Sequence, residues 1–236
     1  MMPRIECLAV DLDGTLTDDE GVIHHEVVEA LERLKKREVK VVIATGASYP
    51  AAITLAYYLP VTRFAVAENG GVVGFRDEYK LLGSREDKEK ILAVARERLK
   101  GVLVESWQNE YRMVDVAFKP AEGYSPEEAA KLAAAELEPS GFEVVYSGWA
   151  IHVHRFGVNK AAGLLEACKA LGFEPERAAA VGDSAVDEPM LEVAGLGVAL
   201  ANAPESLKKK ADYVTVESHY LGFLEAVKFL ENSGFL

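Results

Sequence analysis

Residues 7–21, CLAVDLDGTLTDDEG, form an apolar run that breaks abruptly into acidic residues. The run up to Val10 has the uniformly apolar, β-rich character of a strand buried on both faces. Asp11 and Asp13 follow at once, with Gly14 and Thr15 directly behind them. Ligands of open parallel sheets bind beyond the carboxyl ends of the strands, so this stretch predicts a ligand site at the two aspartates.

The sequence on either side predicts alternating strands and helices. β-rich runs at 5–10, 39–44 and 63–67 are separated by helical patterns at 25–37 and 48–58, an order typical of parallel βαβ units. The alternation resumes after residue 157, with helices at 158–171, 187–194, 205–210 and from 220, and strands at 177–182 and 196–200. We therefore expect an α/β fold whose core is a doubly wound, Rossmann-like parallel sheet built from both ends of the chain.

The middle of the chain has a different order of elements. After a predicted hairpin in GGVVGF and EYKLL, the order of elements changes. Residues 84–154 read as a helix at 84–99, strands at 102–106 and 111–118, a second helix at 125–138 and strands at 142–146 and 149–154. This αββαββ order predicts an α+β unit with antiparallel strand pairs. The expected domains are therefore a first core segment at 1–83, an inserted domain at 84–155 and a second core segment at 156–236.

Composition and charge exclude several classes of protein. The net charge is −12, which disfavours nucleic-acid binding because such binding depends on clustered cations. No apolar run reaches the roughly 18 residues of a membrane span, and the N-terminal residues turn acidic too early for a secretory signal. Cys7 and Cys168 lie far apart in apolar surroundings, which favours reduced core thiols. The expectation is a cytoplasmic enzyme or binding protein with no membrane or nucleic-acid partner, and a homodimer is compatible with the sequence.

Three further motifs lie at predicted strand ends or helix starts. VVIATG ends in Thr45 and Gly46, FGVNKAAG places Lys160 near a helix start, and AAAVGDSAVDEPML contains Asp183 and Asp187 after a strand. A lysine at a helix start opposes the helix dipole, whereas a phosphate there would gain from both the charge and the helix end. Each motif alone is compatible with an ordinary strand end or a solvated surface residue, but their common placement predicts one shared site.

With D-x-D-G-T at residues 11–15, these motifs resemble the four motifs of the haloacid dehalogenase superfamily of phosphatases. The resemblance implies a phosphomonoester hydrolase that works through an aspartyl-phosphate intermediate. It implies that Asp11 is the nucleophile and that Asp13 is the general acid and base. It further implies that Thr45, the Gly46 amide and Lys160 hold phosphoryl oxygens.

The same resemblance implies a metal site. Its ligands would be the Asp11 carboxylate, the Asp13 backbone carbonyl and Asp183, with Asp187 as a further ligand or as an anchor. Converging carboxylates repel one another unless a cation is present, and Mg²⁺ is a hard cation that prefers oxygen ligands. The expected cofactor is therefore Mg²⁺.

The chain departs from the family pattern at two positions. Many relatives have Asn directly before the last aspartate of the fourth motif, where this chain has Val186, and many sugar-phosphate relatives have Arg where it has Ala47. The first change removes a polar partner and leaves the role of Asp187 open. Ser184 and Asn202 are the candidate replacements.

The inserted unit resembles the cap of the Cof-like branch of this superfamily, and AENGG at 67–71 resembles the core of that branch. GVNKAAGL and NAPESLKKKADYVT look most like the archaeal phosphoglycolate phosphatases, which implies hydrolysis of 2-phosphoglycolate. Four basic cap residues are candidates for binding the substrate carboxylate: Arg112, His152, His154 and Arg155. An ordinary strand with one wet face would also produce IHVHRF. We expect the cap to close by hinges near Gly83 and Gly157.

Three alternatives remain at this point. The chain is compatible with a phosphatase of wider range that acts on sugar phosphates or phosphoglycerate derivatives. A phosphomutase would share the aspartyl-phosphate step but would retain the phosphoryl group. A non-enzymatic binding module is disfavoured because it would need neither the nucleophile nor the acid.

Overall fold

The computed structural model describes residues 4–236, which form two β-sheets with helices packed against them. Residues 1–3, the expected beginning of the core, lie outside the described residues. The larger sheet has eight strands in the order β12-β11-β10-β1-β2-β3-β4-β5. Its strands are β1 (Cys7–Val10), β2 (Lys40–Ala44), β3 (Ala65–Ala67), β4 (Val72–Phe75), β5 (Glu78–Leu81), β10 (Ala178–Gly182), β11 (Leu196–Ala199) and β12 (Tyr213–Val214). The pairs from β12 to β3 are parallel, and β4 and β5 add an antiparallel edge.

Helices cover both faces of this sheet, which confirms the doubly wound α/β prediction. They are α1 (His25–Lys36), α2 (Tyr49–Tyr58), α5 (Lys160–Leu171), α6 (Glu188–Val193), α7 (Glu205–Lys208) and α8 (His219–Asn232). The central strand β1 is buried on both sides, since Leu8 and Val10 pack in one core cluster and Cys7 and Ala9 in another. This double burial is the physical reason that CLAV is an uninterrupted apolar run.

The smaller sheet has four antiparallel strands in the order β6-β7-β9-β8. Its elements are α3 (Arg85–Arg98), β6 (Leu103–Glu105), β7 (Val116–Pro120), α4 (Pro126–Leu137), β8 (Phe142–Tyr146) and β9 (Ile151–Arg155). The order is the predicted αββαββ, and the unit has its own apolar core. We refer to residues 84–155 as the cap, and its exact boundaries stay a prediction.

One predicted strand is shorter than its sequence pattern indicates. The pattern predicts a strand over 111–118, but β7 begins only at Val116. The Glu68 carboxylate accepts the backbone N–H groups of Met113, Val114 and Asp115 at 2.9–3.2 Å. These amides are therefore not available to a strand ladder, and the segment leaves the cap sheet to contact the core.

Both cysteines are unpaired and buried, as predicted. Burial raises the pKa of Cys7 and of Cys168, the latter to about 11. Neither thiol is therefore prepared to act as a nucleophile. Among the described residues, no helix combines the length and the apolar character needed to cross a membrane.

Helix α5 packs on β3 at a point where only glycine fits. A Cβ at Gly163 would lie 2.3 Å from Val66 Cγ1 and 2.9 Å from Gly70 Cα. The close approach seats the first turn of α5 against the turn at Glu68–Gly70, and that first turn begins with Lys160.

We therefore expect Gly163→Ala to lower the free energy of unfolding by about 1–3 kcal/mol, because the added methyl overpacks a closed contact. Urea unfolding would measure the change. Ala170→Ser, at an exposed position of the same helix, is the matched control and should stay within about 0.5 kcal/mol of the parent. Equal stability of Gly163→Ala and the parent would contradict the close packing.

Candidate active site

The predicted motif residues converge at the carboxyl edge of the parallel sheet. Asp11 follows β1, Thr45 and Gly46 follow β2, and Asp183 follows β10. Lys160 is the first residue of α5, whose N-cap Asn159 accepts the Ala162 N–H at 3.0 Å. The short turn at Ala185–Asp187 brings Asp187 back to the same place.

Lys160 lies at the centre of this arrangement. Its side chain is 1% exposed, and Nζ donates to Asp11 Oδ1 and to Asp187 Oδ1, both at 2.6 Å. Although burial opposes the charge, the two carboxylates hold the pKa of Lys160 above its ordinary value. The ammonium is therefore a fixed positive charge beside the expected nucleophile.

Three carboxylates form a group that fits a divalent cation. Oxygen atoms of Asp11, Asp183 and Asp187 lie within 4.8 Å of one another. Burial and mutual repulsion raise the pKa of Asp183 to about 6, and burial, opposed by Lys160, raises that of Asp11. A hard cation with oxygen ligands would relieve this repulsion, so the donor set matches the chemistry of a divalent metal.

Asp183 is held by residues from two other segments. Thr15 Oγ1 donates to its Oδ1 at 2.6 Å, and Asn202 Nδ2 donates to its Oδ2 at 2.9 Å and to the Gly14 carbonyl at 3.1 Å. Gly14 has φ +84°, and a Cβ there would lie 2.5 Å from Asp183 Oδ2. The glycine and threonine of the first motif thus position a carboxylate of the fourth.

Asp187 is an anchor for its neighbours. Its Oδ2 accepts from the Asp183 and Ser184 amides and from Ser184 Oγ at 2.9–3.1 Å, while Oδ1 accepts from Lys160. Ser184 therefore supplies the polar contact that Val186 cannot make. Since both oxygens already have donors, the geometry favours Asp187 as the residue that positions Lys160.

A cleft of about 530 Å³ lies above these residues, between the core and the cap. Asp11, Asp13, Gly46 and Lys160 line its core side. Asp13 is exposed to the cleft, yet partial desolvation by the protein around it raises its pKa, as suits a group that donates a proton.

Thr45 is buried, and its Oγ1 accepts the Ala47 N–H at 3.0 Å. It shapes the loop at the end of β2 and does not itself line the cleft, whereas Gly46 and Ala47 do. Its expected contact with a phosphoryl oxygen stays a prediction.

The cap side of the cleft corrects two of the candidate residues. The Arg155 guanidinium pairs with Asp87 on α3, stacks on Phe142 and does not line the cleft. His154 is buried and is likewise absent from the cleft wall. The sequence shows the charge and the strand of both residues but not their partners. For Arg155, alternation along β9 places the side chain on the same face as Val153, which is buried in the cap core, and Asp87 on α3 accepts its hydrogen bond.

A buried polar cluster attaches the cap to the core and was not predicted. Asp115 Oδ2 accepts from Arg112 Nη1 at 3.2 Å, from His152 Nδ1 at 2.9 Å and from Asn69 Nδ2 at 2.9 Å. Arg112 Nη2 also donates to the Gly46 carbonyl at 2.8 Å. Asn69 belongs to the motif AENGG, but Asp115 lies 46 residues away from it in sequence, and nothing local indicates their contact.

Both tryptophans of the chain stand at the mouth of the cleft. Trp107 is 76% exposed and Trp149 is 58% exposed, and both belong to the cap. Lys119 lies with them on the cleft wall.

Comparisons with known proteins agree with the geometry. A family model described as haloacid dehalogenase-like hydrolase matches residues 8–130 and 124–227. The curated phosphoglycolate phosphatase of Methanosarcina mazei is 34% identical over 235 residues, which cover 99% of this chain and 100% of that protein. The phosphoglycolate phosphatase of Archaeoglobus fulgidus is 37% identical over 231 residues, which cover 97% of this chain and 98% of that protein.

Solved structures are similar over the same length. A crystal structure from Thermoplasma acidophilum has a TM-score of 0.86 at 24% identity and covers 99% of this chain and 100% of that one. The phosphatase BT1666 from Bacteroides thetaiotaomicron has a TM-score of 0.77 at 25% identity, with 99% of this chain and 96% of that one covered. Because the Thermoplasma acidophilum protein is only 24% identical, its similarity supports the fold alone.

The contacts of Asn202 predict an effect on metal binding. Asn202→Ala removes the donor that orients Asp183 Oδ2, so we expect divalent-cation affinity to fall about 10- to 100-fold with little change in fold. Titration calorimetry on chelator-treated protein would measure it. Asn232→Ala, at the exposed end of α8, is the control, and equal affinity of both variants would contradict the assigned contact.

Proposed function

The chain belongs to the haloacid dehalogenase-like hydrolase family, as a phosphoric monoester hydrolase, and from that premise we propose that it hydrolyses 2-phosphoglycolate to glycolate and phosphate with Mg²⁺. The observation that carries the proposal is the buried Lys160 bridge between Asp11 and Asp187 at the floor of the cleft. It prepares one carboxylate for attack and places a positive charge beside the phosphoryl group.

The proposed reaction has two steps. An Asp11 oxygen attacks phosphorus, the ester P–O bond breaks, and Asp13 donates its proton to the leaving oxygen. A water molecule then attacks the phosphorus of the aspartyl phosphate while Asp13 takes up a proton, and the bond to Asp11 breaks to release phosphate. Lys160 Nζ donates a hydrogen bond to Asp11 Oδ1. Asp11 Oδ2 has no hydrogen-bond partner within residues 4–236, and it is therefore the proposed attacking atom.

The residues that would hold Mg²⁺ are Asp11, Asp183 and the backbone carbonyl of Asp13. When bound, the ion supplies charge stabilisation for the transferring phosphoryl group. Asp187 would hold Lys160 and the amides at 183–184 in register with these ligands. Fixed positive charge on both sides of the phosphate offsets the repulsion between two anions.

The choice of substrate is supported by the relatives and by the cleft. Several relatives at 32–39% identity, which cover nearly the whole of this chain, carry the name phosphoglycolate phosphatase. The cleft volume of about 530 Å³ suits small-molecule ligands and would also admit a larger phosphomonoester. A phosphatase that acts on a wider range of small metabolites is therefore the second candidate. In either case we expect a cytoplasmic enzyme that acts on a free metabolite.

A phosphate-release screen over small phosphomonoesters tests the proposal. We expect the highest kcat/KM with 2-phosphoglycolate, loss of activity in EDTA, recovery with Mg²⁺ and poor recovery with Ca²⁺, whose coordination is larger and looser. Asp11→Asn should abolish turnover while the fold is kept, because Lys160 retains Asp187 as a partner. Activity that survives EDTA would contradict the metal, and steady transfer to an acceptor without phosphate release would indicate a phosphomutase.

The role of Asp13 predicts a difference between leaving groups. Asp13→Asn should slow an alkyl phosphate far more than an aryl phosphate, since the amide cannot protonate the leaving oxygen and only the alkoxide needs the proton. Single-turnover rates would separate this first step from the hydrolysis of the intermediate. Asp19→Asn, an exposed acid in the same loop, should leave both rates unchanged. Equal losses with both esters would argue against proton donation by Asp13.

A further inference from the structure

One face of the cap sheet forms a wall of the cleft. Ala117 on β7 lies directly opposite His152 on β9, and both residues line the cleft. Their neighbours Val116 and Val153 are buried in the cap core. Because side chains alternate along a strand, His152 faces the active site, and its Cε1 would lie 3.4 Å from a Cβ at Gly46.

Asp115 fixes the orientation of the His152 ring. The two side chains are joined by a 2.9 Å hydrogen bond at Nδ1, and both are at most 5% exposed. Although burial opposes its charge, His152 and Arg112 hold the pKa of Asp115 well below its ordinary value. The ionised carboxylate accepts the Nδ1–H, which leaves Nε2 as the free polar edge of the ring. A neutral ring would present a lone pair at Nε2, and only the imidazolium presents a second N–H there that can donate to an anion.

The other basic residues of the cap are committed or remote. Arg112 is shared between Asp115 and the Gly46 carbonyl, and Arg155 is paired with Asp87 outside the cleft. Lys119 is exposed at the mouth, near Trp149. Arg112 Nε also has no partner, but that atom is buried. Among the described cap residues that line the cleft, His152 is thus the basic side chain that is nearly buried, lies beside Gly46 and keeps a polar atom free at the edge of its ring.

We propose that His152 is the specificity-determining residue, which as an imidazolium donates its Nε2–H to the carboxylate of the substrate, with the Asp115 carboxylate as the positioning residue behind it. The inference rests on the proposed function and deepens it. His152 lies beside Gly46, which is next to the phosphoryl site, so it is within reach of the far end of a two-carbon phosphate ester. In a chain of net charge −12, such a local donor is needed to hold a second anionic group.

His152→Gln tests the proposal against two substrates that share the reacting group. Ethyl phosphate lacks the carboxylate of 2-phosphoglycolate but presents the same phosphoryl group and a similar leaving oxygen. Loss of a hydrogen bond to a charged group should raise KM for 2-phosphoglycolate about ten- to a hundredfold and leave ethyl phosphate within about twofold. His25→Gln, whose side chain is 80% exposed, is the matched control and should change neither.

Asp115→Asn should also raise KM for 2-phosphoglycolate, with a smaller change in kcat. A purely structural role of Asp115 would not produce this difference between KM and kcat. If Asp115→Asn fails to fold, His152→Gln alone decides the outcome. Parallel losses on both esters, or an unchanged preference for 2-phosphoglycolate in His152→Gln, would overturn the role of His152.

The same experiment tests the proposed substrate separately from the role of His152. If the parent enzyme prefers a different carboxylated ester, such as a phosphoglycerate, and His152→Gln removes that preference, the proposed substrate fails and the role of His152 stands. If the parent shows no preference for carboxylated esters, both fail.

Discussion

The site depends on one buried cation held between two buried carboxylates. Lys160 is almost fully removed from solvent, as are Asp11 and Asp187. Such a group is costly to desolvate, and removing one partner of a buried pair typically destabilises a protein by about 3–5 kcal/mol. The chain retains it because the same contacts fix the proposed nucleophile, place a positive charge at the phosphoryl site and bind α5 to the ends of β1 and β10. Stability and chemistry therefore use the same atoms.

The sequence predicted the elements on which this arrangement rests. Alternating apolar runs and helical patterns gave the parallel sheet, and strand ends followed by Asp11, Thr45 and Asp183 indicated the edge at which they meet. The αββαββ cap followed from local periodicity in the same way. These features were predictable because each is determined by a short stretch of sequence. In addition, the carboxyl ends of parallel strands in one sheet lie along the same edge.

The parts that could not be predicted depend on contacts between distant segments. The sequence offers Asn202 only as one candidate replacement for the missing asparagine of the fourth motif. Its contacts with Asp183 and with Gly14, which lies 188 positions away, are not indicated by any local pattern. Glu68 looked like one acid among many, yet its carboxylate binds three successive amides of the cap and thereby shortens β7. Arg155 was misassigned for the same reason, since its partner Asp87 is visible only in three dimensions. Buried polar pairs are set by packing, which the periodicity of one segment does not encode.

The two tryptophans have a spectroscopic consequence. The chain contains only two, and both stand exposed on the cap at the mouth of the cleft, with none in either core. The indole emission of this protein therefore originates entirely from the rim of the proposed active site. A ligand that enters the cleft, or a movement of the cap that excludes water from its mouth, changes the environment of both indoles, while the rest of the molecule contributes no indole emission. The enzyme thus carries an intrinsic optical probe of cleft occupancy that needs no label and no substitution.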